Sequence, residues 1–153
     1  MSNLIEMSTC RSTVAEVASE VFRTMLELEL LPKAEEVNES LSGLTATVQF
    51  LGELRGSVLI HCQEAQAIAF ASRMLGEPLN HVNDDVRDVL AELANVVGGN
   101  LKSIFSPRGI LSLPLVAEGE NYVLHLSDAS SSTTVGFDCE DGPFYITFTQ
   151  AQN

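Results

Sequence analysis

The chain has no tryptophan and little cysteine: three residues, Cys10, Cys62 and Cys139, in 153. An odd, scattered set without a CxxC pair predicts reduced thiols in a cytoplasmic setting rather than a disulfide framework. The three histidines, His61, His81 and His125, are equally spread, so no zinc or other metal site is expected. Basic residues are scarce too. Eight Lys and Arg stand against 21 Asp and Glu, for a formal net charge of −13. Such a chain repels phosphate backbones and anionic lipid, which argues against nucleic acid or a membrane surface as partner. It favours a partner with a positive patch. No apolar run approaches the roughly 18 residues that span a bilayer. Residues 1–11 show no basic stretch followed by an apolar core, so no secretory signal is expected.

What is present is an ordinary globular balance, 45% apolar and 19% charged. The length suits one domain, residues 1–153, with a sizeable core. Val14, Val17, Ala18, Val21, Met25 and Leu28 recur at helical spacing and predict a helix over 9–30. Ser12 or Thr13 would cap it, with Glu16 completing the cap, and Leu31-Pro32 would end it. Residues 35–42 read as a polar loop. Alternation predicts a strand over 45–51, and a short turn leads from it into a second strand over 56–62, forming a hairpin. An Ala-rich helix follows over 63–75, stopped by Gly76. The longest helix is expected over 84–105, capped by Asp84-Asp85 and ended by Pro107 and Gly109. Strand-like runs then fall at 110–117, 121–126, 132–139 and 143–149. One of the turns between them is a cluster at 128–131. This order predicts an α+β fold: a mainly antiparallel sheet with long helices packed on it.

Two helices begin alike, Ala15-Glu16-Val17-Ala18-Ser19 and Ala91-Glu92-Leu93-Ala94-Asn95. Two hairpins are also alike: Val48, Phe50, Gly56, Val58 and Ile60 resemble Val135, Phe137, Gly142, Phe144 and Ile146. Together they suggest a duplicated helix-plus-hairpin unit with a pseudo-twofold axis.

On the long helix, Val86, Leu90, Leu93, Val97, Leu101 and Ile104 fall on one narrow face, expected to lie on the sheet. The opposite face carries Asp88, Glu92, Asn95, Gly99 and Lys102 in a straight row. A polar row is ordinarily a solvated face. Asn, however, is a poor choice inside an exposed helix, and Gly98-Gly99 costs about 1 kcal/mol per glycine relative to alanine. Such concessions suggest a docking edge, with an acid and a carboxamide at its middle, which another surface approaches closely.

Asp88-x3-Glu92-x2-Asn95, continued as Val96-Val97-Gly98-Gly99-Asn100, resembles the helix motif of the CheC/CheX/FliY family, which dephosphorylates the chemotaxis response regulator CheY. The hairpin Gly52-Glu53-Leu54-Arg55-Gly56-Ser57-Val58-Leu59-Ile60 and the helix ending Met74-Leu75-Gly76 are similar to the same family's. The resemblance spans roughly residues 14–149. It departs from the two-motif members in the first helix, where Glu16 is followed by Ser19 rather than Asn. The proline that follows the CheC motif at a longer spacing is also unmatched, since Pro114 comes too early. One intact motif in a short chain is closest to the CheX branch, whose members form homodimers.

The resemblance implies a CheC-like fold and a phosphatase for the aspartyl phosphate of a receiver domain. That receiver supplies Mg²⁺ and a lysine, so no cofactor is expected on this chain. Asn95 would hold the attacking water and Glu92 would pair with the lysine, while Asp88, Gly99 and Lys102 would dock the receiver. The alternative is a non-catalytic module that docks on a receiver or flagellar-switch component. A structural dimer with no receiver partner is the third reading. Elsewhere, His61 reads as structural and Cys62 as a small buried apolar group. Glu16, Glu20 and Glu27 read as a solvated face or a vestigial second site. Residues 136–149 carry apolar strands without Lys or Arg, so this run is expected to offer a sheet edge for dimerisation.

Overall fold

The computed structural model describes residues 4–33, 41–126 and 129–151. Helix α1 (Met7–Leu26) is followed by β1 (Leu31–Lys33), β2 (Leu41–Leu51), β3 (Arg55–Cys62), α2 (Glu64–Leu75) and α3 (Asp84–Phe105). Four more strands follow: β4 (Ile110–Leu111), β5 (Leu115–Tyr122), β6 (Ser131–Asp138) and β7 (Phe144–Ala151). All seven strands form one antiparallel sheet in the order β1-β6-β7-β3-β2-β4, with β5 also paired to β2. The α+β architecture expected from the alternation of patterns is therefore the one observed.

Strand alternation sends Val48, Phe50, Val58, Ile60, Val135, Phe137, Ile146 and Phe148 into the core beneath the helices. At one end, Phe22 of α1, Phe70 of α2, Phe137 of β6 and Phe144 of β7 form an aromatic cluster. Phe22 and Phe137 stack on Phe144 at 4.9 and 5.3 Å, and Phe70 meets it edge-on at 5.4 Å. Each such pair adds about 0.5–1.5 kcal/mol beyond its burial. Gln150, 1% exposed, fastens the chain before α1: its Oε1 accepts from Ile5 N at 2.7 Å and its Nε2 donates to Ile5 O at 3.0 Å.

Several boundaries differ from the sequence expectation. Helix α1 ends at Leu26, not at residue 30, because Glu27 turns left-handed (φ 53°) and donates its N–H to Arg23 O. Leu28 and Leu30 stay buried, but on the non-helical segment leading into β1. Ser12 and Thr13 do not cap α1; they lie inside it, Ser12 Oγ donating to Thr9 O, and the N-cap is Glu6. Asn83, not Asp84 or Asp85, caps α3, accepting from Val86 N at 3.0 Å. The two acids sit in the first turn, where they complement the helix dipole. The run 110–117 is divided between β4 and β5. The expected strand over 121–126 is absent: Asn121 and Tyr122 close β5, and residues 123–126 are not strand. Of the two loops expected from composition, residues 35–40 and residue 128 lie outside the described residues, and Leu41 and Ser42 belong to β2.

The sheet is built outwards from β7 and β3, each the inner strand of a hairpin. The two hairpins differ in register. Phe50 pairs with Gly56, whereas Phe137 pairs with Phe144 rather than Gly142. β7 lies between β3 and β6, and β1 covers Gly136 to Asp138 of β6. The run 136–149 therefore does not provide the expected open edge. Among the described residues, the edge left open on the other side is β4–β5, where Leu113 is 89% and Leu115 71% exposed.

Candidate functional site on helix α3

Helix α3 lies on the core side of β2 and β3 through Val86, Leu90, Leu93, Val97 and Leu101, all buried. Ile104, expected on the same face, is 55% exposed. Its place is taken by Phe105, whose ring meets Phe148 at 5.5 Å. Pinning this face fixes where the opposite one points.

That opposite face presents the row as the spacing predicts. Asp88 and Glu92 are exposed, and Asn95, Gly99 and Lys102 are half-buried. Among the described residues, neither the Glu92 carboxylate, the Asp88 carboxylate nor the Asn95 carboxamide has a hydrogen-bond or ion-pair partner. All three remain available to an external group. The ends of the row are tied down. Lys102 Nζ donates to Pro107 O at 3.1 Å, and Ser103 Oγ donates to Gly99 O at 3.1 Å. Beside the first turn, Arg87 holds Asp84 Oδ1 at 2.9 Å and also Glu118 of β5. The hydrogen bond to Glu118, then that to Asp84, push the Arg87 guanidinium further up from its ordinary range. This fork anchors α3 to the sheet edge, and sequence spacing gave no sign of it because Glu118 lies 31 residues from Arg87.

The glycine pair is not what composition suggested. A Cβ on Gly98 would lie 2.5 Å from Val48 Cγ2, so Gly98 serves the close approach of α3 to the sheet and not an outside partner. A Cβ on Gly99 would meet nothing within 4 Å.

The other residues singled out lie elsewhere. On α1, Glu16 is exposed and Ser19 half-buried, while Glu20 is engaged by Arg23 and Thr24. His61 is buried, with Nδ1 2.8 Å from Thr45 Oγ1, which in turn lies 2.8 Å from Tyr122 OH. Desolvation lowers the His61 pKa below its ordinary value. Burial pushes the Cys62 thiol up to about 12, so it is unreactive at neutral pH. A cleft of about 320 Å³ opens on the opposite side of the sheet, among Gln49, Arg55, Ser57, His125 and Thr149, and includes none of the α3 row. Among the described residues no group of three or more His, Cys, Asp or Glu is arranged to hold a metal ion. Nor is any helix among them long and apolar enough to cross a membrane.

The family described as chemotaxis phosphatase CheX matches residues 44–138, from β2 through α3 to the end of β6. The chain belongs to the CheX family. Solved structures share its fold at low identity. CheX from Vibrio vulnificus is 23% identical with a TM-score of 0.82, covering 96% of this chain and 99% of that one. A CheC-like protein from a Shewanella species is 24% identical with a TM-score of 0.80, covering 92% and 96%. The CheX of a CheX–CheY–BeF3–Mg²⁺ complex from Borrelia burgdorferi is 20% identical with a TM-score of 0.76, covering 97% and 100%. No curated protein sequence matches the chain.

Proposed function

We propose that this CheX-family protein hydrolyses the aspartyl phosphate of a CheY-like receiver domain, docking through the exposed row of α3. One observation carries the reading: Glu92 and Asn95, three residues apart on the outer face, are both left unused by the fold. Solvent-facing acids are common, but an Asn in mid-helix with no partner among the described residues gives up helix propensity without a return there.

The chemistry asks little of the phosphatase. An acyl phosphate has a good leaving group, and the receiver brings Mg²⁺ and a lysine of its own. What remains is to place one water in line with phosphorus, so that the aspartate carboxylate leaves as the water oxygen bonds. The Asn95 carboxamide both donates and accepts, and it does not titrate. It suits the task of holding that water. Glu92, nearly a turn earlier, suits a charge-assisted contact with the receiver lysine that sets the depth of insertion. Asp88 and Lys102 flank the pair; Lys102 spends one of its three donors on Pro107 O and keeps two for a partner. The similarity to the CheX of the Borrelia burgdorferi complex supports a CheY-like partner. On this reading the protein works in the cytoplasm beside its receiver.

The open edge at β4–β5 supports a homodimer. Backbone groups on the outer side of β5 and the exposed Leu113 and Leu115 suit pairing with a second copy about a twofold axis. The outer face of α3 points away from the sheet, so each protomer keeps its own docking row.

The deciding experiment is phosphate release from a panel of phosphorylated receivers with and without the protein. Acceleration for at least one receiver supports the reading. Binding without acceleration assigns a docking module instead, the function that remains if Asn95 has no catalytic part.

A further inference from the structure

Adjacent glycines in α3 stand in opposite surroundings. Gly98 is buried against β2, where a Cβ would run into Val48. Gly99 has helical backbone, with no positive φ to require glycine, and a Cβ there would meet nothing within 4 Å. Alanine would fit the space and favour the helix, so neither packing nor backbone conformation explains the residue. Its carbonyl already accepts from Ser103 Oγ, so what Gly99 offers outward is bare backbone surface rather than a hydrogen-bonding group.

Gly99 lies four residues after Asn95 on the same row, about 6 Å further along the helix axis. The Asn95 side chain is short. For its carboxamide to reach a phosphoryl group inside another protein, the helix backbone must come almost into contact with that protein. A side chain one turn away would prop the helix off. We infer that Gly99 is the point where the receiver's surface rests directly on the α3 backbone, and that its missing side chain lets Asn95 insert to the depth that the Glu92–lysine contact sets. The inference rests on the receiver-phosphatase reading and adds to it a positioning residue that makes no polar contact. A displacement of about 1 Å at a reacting centre costs on the order of a hundredfold in rate, so even a methyl group at 99 matters.

The test compares the parent protein with Gly99→Ala and Gly99→Leu. Both variants should fold, with a thermal midpoint at or above the parent's. Against a receiver that the parent dephosphorylates, kcat/KM should fall several-fold for Gly99→Ala and at least about tenfold for Gly99→Leu. Affinity for a receiver held with beryllofluoride and Mg²⁺, measured in an Asn95→Ala background, should weaken when Gly99→Leu is added. A purely structural role for Gly99 would not produce that loss in a stably folded protein. A stable Gly99→Leu with parental kcat/KM and affinity overturns the inference, as does a Gly99→Leu that unfolds. If the parent releases phosphate from no receiver, the phosphatase reading fails, and the affinity comparison still decides whether a partner rests on Gly99.

Discussion

Gly98 of α3 sits so close over Val48 of β2 that a single added carbon would lie 2.5 Å from Val48 Cγ2. Val48 is β-branched, fully buried and held in a strand paired on both sides, so it has little room to yield. Gly98→Ala should therefore destabilise the protein by about 1–3 kcal/mol through overpacking, despite the roughly 1 kcal/mol that alanine returns in helix propensity. Denaturant unfolding measures this; a stability equal to or above the parent's contradicts it. The contrast with a stabilised Gly99→Ala separates the two glycines experimentally.

Asn95→Ala should abolish receiver dephosphorylation while leaving fold and receiver binding in place. The Asn95 side chain makes no hydrogen bond within the described residues, and alanine is the better helix former. Phosphate release, circular dichroism and a binding isotherm together check this. Loss of the fold, or unchanged hydrolysis, removes the role assigned to the carboxamide.

Glu92→Ala should weaken the receiver complex and slow hydrolysis together. The lost charge-assisted contact is worth about 1 kcal/mol, or some fivefold in affinity. Because the site is exposed, salt should narrow the gap between variant and parent. Titrations at low and high ionic strength read both effects, and equal affinities at low salt would deny the contact with a lysine.

His61 supplies a pH dependence of a different kind. Its pKa is lowered in the fold, chiefly by desolvation, so the folded state binds its proton more weakly than the unfolded state does. Its contribution is present above the ordinary histidine pKa of about 6.5 and is lost as pH falls from there through the lower folded value. Unfolding free energies at pH 7 and pH 5 should therefore drop further for the parent than for His61→Gln, which cannot take up a proton. Equal drops in the two proteins would show that His61 does not contribute.

Much of this was legible in the residues because two periodicities dominate them. The 3.6-residue pattern from Val86 to Leu101 placed the row on the opposite face, alternation placed most of β2, and apolar runs bounded by turns placed β3, β6 and β7. The misses share a cause. Leu28 and Leu30 are buried whether the chain is helix or extended, so hydrophobicity alone could not mark the end of α1. Gly98 and Gly99 look the same in sequence and differ only in what lies beneath them. Strand order depends on long-range pairing, so β7 looked like an edge from its composition and proved central. Asn83 was readable: it precedes two acids and a valine, a common start for a helix, but the acids drew the assignment one residue along.

That central position of β7 decides where a dimer can form. β3 and β6 satisfy the backbone of β7, and β1 covers the far end of β6. On the opposite side, β5 pairs only with β2, and its outer groups have no strand beyond them among the described residues. Ile110, Leu113 and Leu115 are strongly exposed along this margin. The stretch from Ile110 to Ala117 carries no charged residue, Glu118 and Glu120 lying further along β5, and an apolar margin of this kind is a pairing hazard in a monomer and an asset in a symmetric dimer. Sedimentation at micromolar concentration should give a mass near twice that of the chain, and Leu115→Lys should shift it towards monomer without unfolding the protein. Because the α3 row points away from the sheet, the monomeric variant should keep its kcat/KM towards a receiver. A parent protein that sediments as a monomer, or a Leu115→Lys variant that stays dimeric, would remove β4–β5 as the interface.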